Sequence, residues 1–166
     1  RGNGVCYFDT NQKRFTHFRA NQKNEYPLRY PTNITEDKQG NLWFVSDASS
    51  SLVHWNRSNG RFKIVSLPSD LQKQSGNLDA ICYDDSVFWL GSSTDGLIKF
   101  NPGTGAFQIF GHDRGLVNSH ITSIHKENKN KLWLVTDGGL SCFDISKENF
   151  RNFTAKDGLP VQYPTS

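Results

Sequence analysis

Apolar residues recur along this chain at fixed intervals rather than in long runs. Phe8, Trp55, Phe100 and Phe143 stand 47, 45 and 43 residues apart. Seven positions after each comes a phenylalanine, at Phe15, Phe62, Phe107 and Phe150, and three further on stand Phe18, Val65, Phe110 and Phe153. Three residues ahead of each first aromatic lies an aliphatic one: Val5, Leu52, Leu97 and Leu140. Trp43, Trp89 and Trp133 recur at 46 and 44 residues, inside the short apolar runs Leu42 to Val45, Val87 to Leu90 and Leu132 to Val135. A repeat of about 45 residues decides the architecture before any single residue is interpreted.

Each repeat divides into four β segments separated by turn residues. In the first, the pattern predicts strands over Ile34 to Asp37, Asn41 to Ser46, Leu52 to Asn56 and Arg61 to Ser66. Lys38-Gln39-Gly40 and Arg57-Ser58-Asn59-Gly60 supply the tight turns, with glycine free to take positive φ. Asn101 to Gly105 and Asp144 to Asn149 occupy the same corner as the second of these turns in later copies. No segment sustains a 3.6-residue apolar period, so helices are expected to be nearly absent.

Four strands per repeat of about this length is the pattern of a β-propeller, whose blades stack face to face around an axis. The second strand of each repeat is apolar on consecutive positions, as a strand covered on both faces should be. The expected fold is all-β, a partial β-propeller of about 3.5 four-stranded blades cut from a ring of about seven. Residues 1–20 give a half blade holding only third and fourth strands, and 33–66, 78–110 and 121–154 give whole blades. Residues 155–166 form a linker and the start of another blade, since Tyr163-Pro164-Thr165 echoes Tyr30-Pro31-Thr32. Trp43, Trp55, Trp89, Trp133, Phe100 and Phe143 are assigned to the packing between and within blades. A partial ring leaves blade faces and strand edges uncovered, which predicts pairing with the remainder of the propeller or with a second copy of the chain.

Composition narrows the function classes. Lys and Arg outnumber Asp and Glu by 19 to 16, without runs of one sign, which argues against nucleic acid as a partner. No apolar run approaches the roughly 20 residues that span a bilayer, so no membrane segment is expected within these residues. Cys6, Cys82 and Cys142 form no metal-ligand spacing, and neither a metal nor a cofactor is expected.

The stretch Ile34-Thr35-Glu36-Asp37-Lys38-Gln39-Gly40-Asn41-Leu42-Trp43-Phe44-Val45 resembles the two-component regulator propeller repeat, with its Glu-Asp, Gly, Leu-Trp core. Phe88-Trp89-Leu90-Gly91-Ser92 with Gly96-Leu97, and Leu132-Trp133-Leu134-Val135-Thr136 with Gly139-Leu140, are similar. Asp113-Arg114-Gly115-Leu116 and Asp157-Gly158-Leu159-Pro160 match the Asp-Gly-Leu linker of that family. Two places depart from it: Asp84-Asp85-Ser86 replaces the usual Gly-Asn, and Ser51 stands where glycine precedes leucine. The resemblance implies the periplasmic sensor region of a Bacteroides-type hybrid two-component system, binding an oligosaccharide and signalling to a histidine kinase outside these residues. It implies no enzymatic activity for this stretch.

In a propeller, the loops leaving each fourth strand and those joining second to third strands share one rim, where small ligands meet the axis. Those loops hold Tyr26, Arg29, Tyr30, Lys73, His112, Arg114, Asn118 and His120, with Asp47, Asp95 and Asp137. Aromatic, Arg, His and Asn side chains suit a sugar, an anionic one in particular, through stacking and forked hydrogen bonds. The tryptophan core is also similar to the repeats of streptogramin lyases, for which His112, His120 and His125 would be the candidates. No HExxH spacing links them, and His120 and His125, an odd number of positions apart, would face opposite ways on one strand. A third reading is a protein-docking scaffold of the WD-repeat kind.

Overall fold

The computed structural model describes residues 4–19, 26–46 and 49–160, so Asp47 and the C-terminal Tyr163-Pro164-Thr165 echo lie outside the described residues. Three four-stranded antiparallel sheets follow one another. The first holds β3 (Pro31–Glu36), β4 (Leu42–Ser46), β5 (Ser49–Asn56) and β6 (Arg61–Ser66). The second holds β7 (Leu78–Asp84), β8 (Val87–Ser92), β9 (Leu97–Phe100) and β10 (Phe107–Phe110). The third holds β11 (Ile121–Asn128), β12 (Lys131–Thr136), β13 (Gly139–Asp144) and β14 (Asn149–Phe153). Ahead of them β1 (Gly4–Asp9) and β2 (Arg14–Arg19) pair as a two-stranded hairpin.

The aliphatic and aromatic ladder is the register of one hairpin repeated four times. Val5 pairs with Phe18, Leu52 with Val65, Leu97 with Phe110, and Leu140 with Phe153. Phe8 likewise faces Phe15, Trp55 faces Phe62, Phe100 faces Phe107, and Phe143 faces Phe150. Cross-strand pairs of this kind stabilise a sheet face directly.

The sheets then pack face to face in chain order. One core joins the first and second blades through Val45, Leu52, Leu67 and Leu71 against Ile81, Phe88, Leu90 and Phe100. A second joins the second and third blades through Trp89, Leu97 and Phe110 against Leu132, Leu134 and Phe143. A third sets Val5 and Phe18 of the hairpin against Phe44, Val53, Trp55 and Phe62 of the first blade. Trp43 lies 4.7 Å from Phe88 of the following blade and Trp89 lies 5.6 Å from Phe143 of the one after, ring centre to ring centre. Trp133 meets Phe153 of its own blade at 5.6 Å and is only half-buried.

Each of the three tryptophans is fixed by a second device. Its indole N–H donates to a carboxylate at the end of the preceding strand: Trp43 to Asp37 at 2.8 Å, Trp89 to Asp84 at 3.2 Å and Trp133 to Glu127 at 2.7 Å. Asp37 also accepts from the backbone N–H of Gln39 and Asn41 and from the Asn41 amide. Burial pushes its pKa upward, but these donors outweigh it and hold the carboxyl below the ordinary value. Replacing Asp37 by alanine strips a charged acceptor from one indole and one turn. Urea denaturation of the variant should show a loss of about 1.5–3 kcal/mol.

The Asp84-Asp85-Ser86 departure from the repeat is a shorter turn. Asp84 pairs directly with Val87, and Asp85 takes φ 63°. Aspartate tolerates that left-handed conformation better than most residues.

The helix α1 (Ser69–Gln74) in the connection to the second blade corrects the expectation of an almost helix-free chain only locally. It is short, Leu71 is its buried anchor, and the Gln72 amide donates to the Leu67 carbonyl at 2.6 Å. The first blade starts at Pro31, two residues ahead of its expected boundary.

Candidate functional site

Each first strand carries an irregularity near its start. Pairing slips between Pro31 and Asn33 in β3, between Leu78 and Ala80 in β7 and between Ile121 and Ser123 in β11. The residues skipped are Thr32, Asp79 and Thr122. A bulge releases its extra residue from the ladder and re-aims the side chain. Thr32 Oγ1 donates to the Leu78 carbonyl of the next blade at 3.2 Å. Asp79 reaches the next blade as well, with its Oδ2 3.2 Å from His120 Nε2.

Around His120 the connection between the second and third blades meets the start of β7 and the β12–β13 link. Its Nδ1 is 2.8 Å from Asp137 Oδ2, in the link between β12 and β13. Its backbone N–H donates to the Asn118 side-chain oxygen at 2.9 Å, and Asn118 in turn lies against Gly138, where a Cβ would come within 2.9 Å of its own Cβ. The hydrogen bond to Asp137, assisted by the charges of Asp137 and Asp79, raises the pKa of His120 against the effect of partial burial. Asn118, His120, Asp79 and Asp137 therefore form one polar cluster between the second and third blades.

The other rim candidates are placed elsewhere. Tyr26, expected at the rim, is sealed in the core at 0% exposure between Phe44 and Phe62, because its ring completes the apolar contact between the hairpin and the first blade. Among the described residues its hydroxyl finds no hydrogen-bond partner, and burial pushes its pKa up. Arg29 is exposed, and its carbonyl accepts from the Ser46 hydroxyl. Tyr30, at φ 51°, immediately precedes the first strand of its blade, as His120 does in the third.

His112 Nδ1 contacts the Leu116 carbonyl at 3.0 Å within its own turn. Arg114 lies over the Phe110 ring at 5.4 Å and 3.9 Å from Glu148, so it is drawn toward the β13–β14 turn and away from His120. Lys73 stands on α1 beside Asp70 at 3.8 Å, and Asp95 accepts from the Thr94 hydroxyl in the β8–β9 link. His125 is exposed on β11 opposite Trp133.

Asp79 was not among the rim candidates read from the sequence. Its position one residue into the first strand, aligned with Thr32 and Thr122, is the signal that marks it. Among the described residues no group of three His, Cys, Asp or Glu side chains could hold a metal ion, and no helix is long and apolar enough to cross a membrane.

A scan against family models gives no match, and neither do the curated proteins. Solved structures do match. Over 86% of its length the chain is similar to the extracellular domain of a protein described as a hybrid two-component system from B. thetaiotaomicron, at 25% identity and a TM-score of 0.65. A second such domain from that organism is 20% identical over 92% of this chain, with a TM-score of 0.68. This chain covers 20% of either one, about a fifth of their length. Streptogramin B lyase shares the fold, at 18% identity and a TM-score of 0.70 over 97% of this chain and 49% of its own. The chain is a partial β-propeller of the kind found in the extracellular domains of these hybrid two-component systems.

Proposed function

We propose that this chain is part of the ligand-sensing, periplasmic propeller region of a two-component system sensor, which recognises an oligosaccharide and signals to a histidine kinase outside these residues. The observation that carries the reading is the 25% identity to the extracellular domain of a hybrid two-component system over 86% of the chain. The polar cluster at the rim supports it. A sugar hydroxyl both donates and accepts, and Asn118 with Asp137 presents an amide and a half-exposed carboxylate side by side with His120. With Arg114 held by Glu148 and the cluster centred on two carboxylates, a neutral sugar suits this surface better than an anionic one.

The test is a glycan array on the intact sensor, followed by calorimetry with the best-bound neutral oligosaccharide. Asn118→Ala and Asp137→Asn should each weaken binding about tenfold, the loss of one good hydrogen bond, while the double change Arg29→Ala, Arg114→Ala should leave it within about threefold. Binding of no glycan, or binding indifferent to Asn118 and Asp137, would overturn the assignment.

A further inference from the structure

At the rim, one imidazole bridges carboxylates of the second and third blades. His120 Nε2 is 3.2 Å from Asp79 of β7, and Nδ1 is 2.8 Å from Asp137 of the β12–β13 link. Ionised carboxylates only accept hydrogen bonds, and a neutral imidazole has a single N–H to give. Both contacts can be hydrogen bonds only while the ring carries two protons. We propose that His120 is a proton-operated clasp at the junction of the second and third blades, bonded to both carboxylates when the ring is charged and to Asp79 of the second blade alone when it is neutral.

The charged groups facing the ring are Asp79 from the second blade and Asp137 from its own blade. The connection that carries His120 adds only the uncharged Asn118 amide. The two carboxylates are unequal: the Asp79 side chain is 19% exposed and that of Asp137 58% exposed. Leaving the more buried carboxylate without a donor costs more, because water cannot replace the lost bond as readily. The neutral ring therefore keeps its one proton on Nε2 toward Asp79, and Asp137 is the partner set free. Since Asp137 belongs to the rim cluster, deprotonation changes the surface presented there without disturbing the stacking of the blades.

The surroundings of the ring, the hydrogen bond to Asp137 first, raise its pKa. A raised value in the folded state means that the clasp contributes fully below the ordinary histidine pKa of about 6.5 and is lost as the pH climbs through the raised value.

The experiment is an NMR titration of the His120 ring in the whole chain, alongside Asp79→Asn, Asp137→Asn and His120→Gln. His120 should titrate above an unfolded histidine peptide, and both aspartate changes should lower it toward the peptide value. The Nε2 tautomer should dominate once the ring is neutral. Thermal midpoints should fall between about pH 6 and pH 9 more steeply in the parent than in His120→Gln. Should Asp79→Asn fail to fold, the exposed Asp137→Asn carries the same comparison. Titration at or below the peptide value, or a value unmoved by Asp137→Asn, would overturn the clasp. The outcome does not depend on whether the rim binds a sugar.

Discussion

Replacing Trp89 with alanine is expected to remove about 3–5 kcal/mol of stability, a large share of the roughly 5–15 kcal/mol typical of a folded domain. Trp89 is 1% exposed and touches Phe110 of its own blade and Phe143 of the next, and its indole N–H is held by Asp84. Truncation would open a cavity in the core that joins the second and third blades, and would leave Asp84 without one of its donors. Lys126 of the third blade also contacts Asp84, so the same change weakens a polar link between blades. Chemical denaturation measures the loss directly. Trp133→Ala is the internal comparison, since that ring is half-buried and, among the described aromatic rings, meets only Phe153, and its cost should be less than half as large. Equal losses at the two sites would mean that face-to-face stacking is not the main source of stability.

Gly139→Ala should cost about 2–6 kcal/mol. Gly139 sits at φ +130°, where side-chain-bearing residues suffer strain of about 1–3 kcal/mol, and an added Cβ would stand 2.3 Å from the Phe153 carbonyl oxygen. Relieving that overlap requires β13 and β14 to separate at their first rung, at a further cost of about 1–3 kcal/mol. Gly60→Ala separates the two contributions. Its φ is +68° but nothing lies within 4 Å of the added Cβ, so only the strain of about 1–2 kcal/mol remains. Thermal melts of both variants, with amide exchange across β13 and β14, would test the ordering.

The blade architecture was legible because it rests on cross-strand pairs, and such pairs leave a fixed spacing in the sequence. Val5 with Phe18 and Leu140 with Phe153 are separated by the same number of residues because the same hairpin joins them. The indole-to-carboxylate bonds were not read from the sequence, because Asp37, Asp84 and Glu127 stand six, five and six residues ahead of their tryptophans and nothing in a linear pattern says that the two groups touch. The rim was harder to read. Tyr26 has the composition of a sugar platform, yet packing against Phe44 and Phe62 removes it from the surface. Arg114 is claimed by Glu148, a partner on another hairpin that spacing alone does not reveal. The helix α1 is too short to show a period, so Leu71 looked like any other loop residue.

The slipped rung at the head of each blade separates two kinds of constraint. Thr32, Asp79 and Thr122 owe nothing to ladder pairing or to the apolar layers, and the threonine of two blades gives way to aspartate in the second. Mutational change at the exposed Thr32 and Thr122 carries little thermodynamic penalty, whereas one step along the same kind of strand, at Ala80 or Ile121, the side chain is buried and the choice is confined to apolar groups of similar volume. Variation among related chains should therefore concentrate at these two exposed positions while the buried ones stay fixed, and Asp79 should vary only together with its partner His120.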